Sequence, residues 1–125
     1  MLLVDDDLNI RYLYEQAFRL MGYNIETAVN GQDAINKLEK MDPLPALILL
    51  DMIMPTMTGF DVLNYMRHSP QLKNMVVVML TSVSDEEAVE KAMKLGAVGY
   101  LIKTEHEPRE IVAKVQEFID KYCQK

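Results

Sequence analysis

The chain has 125 residues, 50% hydrophobic and 26% charged, with a formal net charge of −6 at pH 7. That length makes one domain able to bury roughly two thirds of its unfolded surface. The acidic balance argues against direct nucleic-acid binding, which needs a basic face, and no apolar run reaches the roughly 18 residues of a membrane span.

The elements follow in order. Met1 to Val4 is an apolar strand, with no basic-then-apolar leader ahead of it. It ends in Asp5-Asp6-Asp7. A helix is predicted from Leu8 to Met21 with Ile10, Leu13, Ala17 and Leu20 on its inner face, and Gly22 ends it. Ile25 to Val29 reads as a second strand. Asn30 caps the next helix, whose inner face is Ala34, Ile35, Leu38 and Met41; Asp42-Pro43 ends it. Ala46 to Leu50 is the third strand. Thr58 caps a helix carrying Phe60, Leu63 and Met66 inward, closed by Ser69-Pro70. Met75 to Leu80 is the fourth strand. Ser84 and Glu87 have capping-box spacing, and Val89, Ala92 and Met93 form that helix's buried face up to Gly96. Val98 to Ile102 is the fifth strand. Pro108 fits the first turn of a last helix lined by Ile111, Val115, Phe118 and Tyr122. The lone cysteine, Cys123, gives no disulfide framework or thiolate metal site and suits a reducing, cytoplasmic setting.

Strand and helix alternate five times, which implies an α/β fold with a parallel sheet covered on both sides. Right-handed crossovers leave few topologies. The flavodoxin-like doubly wound order 2-1-3-4-5 is the expectation, with ligands at the carboxyl ends of the strands.

The strand ends carry the chemistry. Leu47-Ile48-Leu49-Leu50 runs straight into Asp51, and Pro55 and Gly59 mark the loop beyond. A strand apolar throughout is buried on both faces, so Asp51 belongs at the edge of the sheet's centre. Strand 1 ends in Asp5 and Asp6, strand 4 in Thr81, strand 5 in Lys103. A single Asp at such a place is as readily a cap or turn former, and Asp7 reads as a cap. Together, in neighbouring strands, these groups converge. Two carboxylates 4 Å apart repel by about 4 kcal/mol at an effective dielectric near 20, so three need a cation or a proton. An all-oxygen set suits a hard ion such as Mg²⁺, which keeps waters and leaves positions open to phosphoryl oxygens. Lys103 adds a positive charge, Thr81 a hydroxyl, and a carboxylate can itself be the nucleophile.

The motifs Leu3-Val4-Asp5-Asp6-Asp7, Leu50-Asp51-Met52-Ile53-Met54-Pro55 with Gly59, Thr81-Ser82 and Gly99-Tyr100-Leu101-Ile102-Lys103 resemble, in order and spacing, those of a response-regulator receiver domain. The resemblance covers nearly the whole chain. It implies that Asp51 is the phosphoacceptor, served by a sensor histidine kinase or phosphotransfer protein. It implies that Asp6 and Asp51 hold Mg²⁺ (or Mn²⁺ in its place), with Asp5 acting mainly through water and the carbonyl of Ile53 as a further ligand. Thr81 and Lys103 would bind phosphoryl oxygens. Tyr100 would be the switch aromatic that follows Thr81; a half-buried strand tyrosine is the plain alternative. The output surface would be the fourth helix, fifth strand and fifth helix, acting on a downstream protein or a covalently linked effector, as a monomer or a phosphorylation-dependent dimer. No output domain is expected within residues 1–125, and the only catalysis expected is of the domain's own phosphorylation and dephosphorylation.

One departure stands out. The family usually has proline after the lysine, often with a cis bond; here Thr104 follows, and a cis bond without proline costs about 3 kcal/mol. A trans or more mobile loop is therefore expected. Ile53 and Val83, at positions that flank the phosphoryl site in the family, are apolar and would slow attack by water. Three other readings compete. A haloacid-dehalogenase-type phosphatase would use Asp5-Asp6-Asp7 as its Asp-x-Asp, but Leu8-Asn9 follows where its Gly-Thr turn belongs, and Asp51 has no role. A calcium loop fails because Ile10 stands where the turn needs glycine. A receiver-like scaffold that docks partners unphosphorylated would not need the full acidic set. His68 and His106 read as surface residues rather than phosphohistidines.

Overall fold

The structure, a computed structural model, describes residues 1–123. Five parallel strands form one sheet in the order β2-β1-β3-β4-β5: β1 (Leu2–Val4), β2 (Glu26–Ala28), β3 (Leu47–Leu50), β4 (Val76–Thr81) and β5 (Gly99–Ile102). The five helices are α1 (Leu8–Leu20), α2 (Gly31–Lys40), α3 (Gly59–Arg67), α4 (Glu86–Lys94) and α5 (Pro108–Tyr122). The expected doubly wound architecture is the observed one.

Alternation along the strands makes two cores. Leu2, Val4, Ile48, Leu50, Val77 and Met79 face α2, α3 and α4. Leu3, Leu47, Leu49, Val78, Leu80 and Leu101 face α1 and α5. Every residue of β1 and β3 is buried, as a central strand covered on both sides requires.

The local stops and starts follow side-chain chemistry. Asp7 caps α1, accepting the N–H groups of Asn9 and Ile10. Asn30 caps α2 through the Asp33 N–H, and Thr58 and Asp61 form a capping box on α3. Pro108 opens α5.

Three expectations need correction. On α1 the buried residues are Tyr14 and Phe18, with Ile10 and Ala17 on the flank, while Leu13 is 48% and Leu20 84% exposed. Two apolar faces share that helix, and the one with the larger aromatic area is the one that docks. The cap of α4 is Asp85, which accepts the Glu87 N–H, in place of Ser84; Met93 on that helix is largely exposed. On α5, Val112 is buried with Ile111 and Val115, while Tyr122 lies toward solvent.

Candidate functional site

Strand register places the acids side by side. Val4 pairs with Leu50, so Asp5 and Asp51 are the next residues on adjacent strands. The ladder runs on past the strands: the Asp51 N–H donates to the Val4 carbonyl at 3.0 Å, and the Asp5 N–H to that of Ala28 at 3.2 Å. Because side chains alternate, Asp5, Asp51 and Lys103 follow Leu3, Leu49 and Leu101 on the α1/α5 side. Thr81 follows Val77 and Met79 on the other side, where Tyr100 also packs.

Asp5 and Asp51 are buried and Asp6 is exposed. One oxygen of each lies within 4.8 Å of the others. The Lys103 ammonium lies 3.4 Å from an Asp51 oxygen and forms an ion pair with Asp5. One lysine therefore faces two buried carboxylates, leaving the cluster short of positive charge. Burial pushes the Asp51 carboxyl above its ordinary value; Lys103 opposes this, Asp5 adds to it, and hydrogen bonds from the Thr81 hydroxyl and the Ile53 N–H lower it slightly. Among the described residues the Asp6 carboxylate takes no hydrogen bond or ion pair. A three-carboxylate, all-oxygen set with an unsatisfied member fits a hard divalent cation.

The loops around the acids are shaped for close approach. A Cβ on Gly59 would lie 2.4 Å from the Asp51 carbonyl oxygen, so only glycine lets α3 start against the end of β3. Lys103–Glu105 form a single 3₁₀ turn, and the Lys103–Thr104 bond is trans. The lysine reaches both acids without proline behind it. The Tyr100 hydroxyl donates to the Val83 carbonyl at 2.8 Å, which ties β5 to the loop between β4 and α4.

The cleft over the acids is lined in part by Ile10, Leu13, Ile53, Ser82, His106 and Pro108. Ile53 stands at its mouth, 66% exposed, while Val83 packs against the core of the α2–α4 side and away from the cleft. His106 and Arg11, whose guanidinium donates to the Asp5 carbonyl at 2.8 Å, are neighbours of the site that sequence reasoning missed. The one signal for Arg11 is its place on α1, a turn beyond the acids.

A doubly wound sheet with three acids, a hydroxyl and a lysine at its carboxyl edge defines a flavodoxin-like domain with an acidic cleft at the strand ends. Residues 1–116 match the family described as the response regulator receiver domain, and the chain belongs to that family, which serves two-component signalling. It is 34% identical over 119 residues to "Probable transcriptional regulator ycf27" of Cyanidium caldarium, covering 95% of this chain and 45% of that protein. It is 33% identical to "Transcriptional regulatory protein CpxR homolog" of Haemophilus influenzae, covering 95% and 49%. The chain thus spans a little under half the length of these curated relatives. Among solved structures, chemotaxis protein CheY4 of Vibrio cholerae superposes with a TM-score of 0.84 at 32% identity, covering 93% of this chain and 94% of that one. A CheY-like receiver domain from Methanospirillum hungatei gives 0.86 at 27%, covering 97% and 93%.

Proposed function

We propose that this domain accepts a phosphoryl group on Asp51 from a sensor histidine kinase or phosphotransfer protein and signals through α4, β5 and α5. The observation that carries the reading is the placement of Asp51: buried, beside Lys103 and Thr81, and within reach of two further carboxylates.

The chemistry follows from these residues. An Asp51 oxygen attacks phosphorus, forming an O–P bond as the P–N bond to the donor imidazole breaks. The electron pair of that bond leaves with the imidazole. Lys103 favours the ionised form of Asp51 against the burial that raises its pKa, and its ammonium then meets a phosphoryl oxygen. The Thr81 hydroxyl donates to another. Asp6 and Asp51, with Asp5 behind them and the Ile53 carbonyl beside them, would hold Mg²⁺ or Mn²⁺, which when bound offsets the charge of the phosphoryl oxygens. A phosphoryl group adds close to two negative charges, and drawing Thr81 toward it pulls on the loop whose Val83 carbonyl holds Tyr100. Apolar Ile53 at the mouth shields the acyl phosphate from water; a phosphoryl half-life as short as that of fast chemotaxis-type receivers would count against that role.

Partners follow the same geometry. Leu8, Tyr12 and Leu13 lie exposed on the first turns of α1, and Leu13 lines the cleft, which supports a protein donor that packs over it. The greater length of the relatives named as transcriptional regulators supports a covalently linked effector, with a separate downstream protein as the other route. The charge of −6 argues against direct DNA contact by this domain. Among the described residues no helix is long and apolar enough to cross a membrane; the cytoplasmic setting rests on the family's two-component role.

Intact-mass spectrometry after incubation with acetyl phosphate and Mg²⁺ tests the reading, beside Asp51→Asn and EDTA controls. A single phosphoryl adduct that needs both Asp51 and Mg²⁺ is the expected result. A folded protein that takes up no phosphoryl group under any condition would be an unphosphorylated docking scaffold instead.

A further inference from the structure

We propose that Arg11 is a positioning residue for the metal site: by holding the backbone carbonyl of Asp5, it fixes the peptide that carries Asp6. The inference rests on the Mg²⁺ reading above.

The three carboxylates converge, but they are not held alike. One Asp5 oxygen accepts the Asp7 N–H at 3.0 Å, and the other is paired with Lys103. Asp51 has the Lys103 ammonium at 3.4 Å. Asp6 has no such partner among the described residues, so its backbone alone aims it. The peptide that joins it to Asp5 carries the Asp5 carbonyl, and Arg11 Nη1 donates to that oxygen at 2.8 Å.

Arg11 is itself well placed to act as an anchor. Its N–H donates to the Asp7 carbonyl at 2.9 Å, in the first turn of a helix that the Asp7 side chain caps at 2.9 and 3.1 Å. The end of β1, the acidic turn and the start of α1 are thereby closed into one ring. Without the guanidinium, the Asp5–Asp6 peptide loses its side-chain tie to α1, and Asp6 loses the constraint that keeps it on the other two acids.

Electrostatics alone predicts the opposite outcome. Arg11 is a cation beside a cation site, and removing it lowers the repulsion a metal ion meets. A positioning role requires that removal weaken binding in spite of this.

The test is Mg²⁺ titration of the whole chain without a phosphodonor, followed by amide chemical shifts, for the unaltered protein, Arg11→Met, Arg11→Lys, Asp6→Asn and the double variant Asp6→Asn/Arg11→Met. Methionine keeps the stem and the helix propensity while removing donor and charge. Arg11→Met is expected to bind about tenfold more weakly, the low end of what outer-shell partners of metal ligands contribute. Arg11→Lys, which keeps a donor, is expected to recover most of the loss. With Asp6 already neutral, Arg11→Met is expected to cost little more. Should Arg11→Met fail to fold, Arg11→Gln takes its place, with a side chain too short to reach the Asp5 carbonyl. Unchanged or tighter binding on loss of Arg11 overturns the inference, as does an equal loss in the Asp6→Asn background. An unaltered protein that shows no Mg²⁺ response overturns the metal reading as well, which separates the two failures.

Discussion

Helices α2 and α4 lie on the same face of the sheet and differ by one residue in length, yet they are held in different ways. α2 buries Ala34, Ile35 and Leu38. Its cap bond from the Asp33 N–H to Asn30 is 2.7 Å, Asp33 in turn accepts the Val29 N–H, and Lys37 reaches the Thr27 carbonyl. α4 fully buries only Ala92. Its cap bond to Asp85 is a long 3.3 Å. The firm tie lies at its far end, where the Arg67 guanidinium of α3 donates to the carbonyls of Leu95 and Gly96, each at 2.9 Å, and to those of Lys73 and Met75. Few buried apolar contacts mean low local stability. The end of α4 that follows Thr81 is therefore the less tightly held one, and the end remote from Asp51 is pinned. Under the proposed phosphorylation of Asp51, a shift of Thr81 would meet the less firmly held end of α4, whereas α2 is held by its cap and its buried face.

The largest expected effect tests the packing half of this contrast. Leu38→Ala in α2 empties a fully enclosed site and is expected to cost about 3 kcal/mol in urea unfolding. Val89→Ala in α4 removes half-exposed surface and should cost under about 1 kcal/mol. Equal losses from the two would break the comparison.

Arg67→Ala comes next. It removes a group that serves four carbonyls, two of them at the end of α4, and is expected to cost about 2 kcal/mol. Hydrogen exchange sharpens the point: amides of α4 should exchange faster in the variant while those of α2 stay protected. Uniform acceleration across both helices would mean that Arg67 supports the whole fold and has no special hold on α4.

The sheet order and the strand-end residues were legible in the sequence because their signals are local and of one kind. Leu47 to Leu50 are apolar without interruption, as burial on both faces demands, and the carboxylate that follows has one place to go. The register then brings Asp5 beside Asp51 with no further information. The face of α1 was not legible, since Leu13 and Leu20 are as apolar as Tyr14 and Phe18, and periodicity cannot choose between two apolar stripes. Nor were Arg67 and Arg11: each acts by bonding backbone carbonyls, and a carbonyl has no letter in the sequence. The cap of α4 was misread for a related reason. Ser84 and Asp85 are both good caps, and one residue of loop geometry decides between them.

A smaller effect concerns the buried charge of Asp51. Burial raises the Asp51 pKa above the ordinary 3.8, with Lys103 in part opposing. The folded state thus holds the proton more tightly than the unfolded chain. The stability linked to it is full below the ordinary value and is lost as pH rises through the raised one. In metal-free buffer at neutral pH, Asp51→Asn, which keeps the shape and removes the charge, should raise Tm by a few degrees. The gap between variant and parent should close as the pH falls through the ordinary carboxylate range. A gap that stays constant with pH would assign the gain to something other than the buried charge.

The smallest effect lies in the loops that lead into the helices. Asp85 enters α4 with an ordinary extended backbone, φ −66°. The loop into α3 holds Thr56 at φ 69°, the one non-glycine residue at positive φ among those described. A β-branched residue is strained there, and asparagine tolerates the same backbone without the chain entropy that glycine adds. Thr56→Asn is therefore expected to stabilise the protein by about 0.5 kcal/mol in urea unfolding. Thr56 is exposed and lies five residues beyond Asp51, so phosphoryl uptake should be unchanged. A gain in stability with a loss of uptake would mean instead that the strain holds Ile53 and the end of β3 in their working position. The loop into α3 would then join the loop into α4 as a part of the proposed switch.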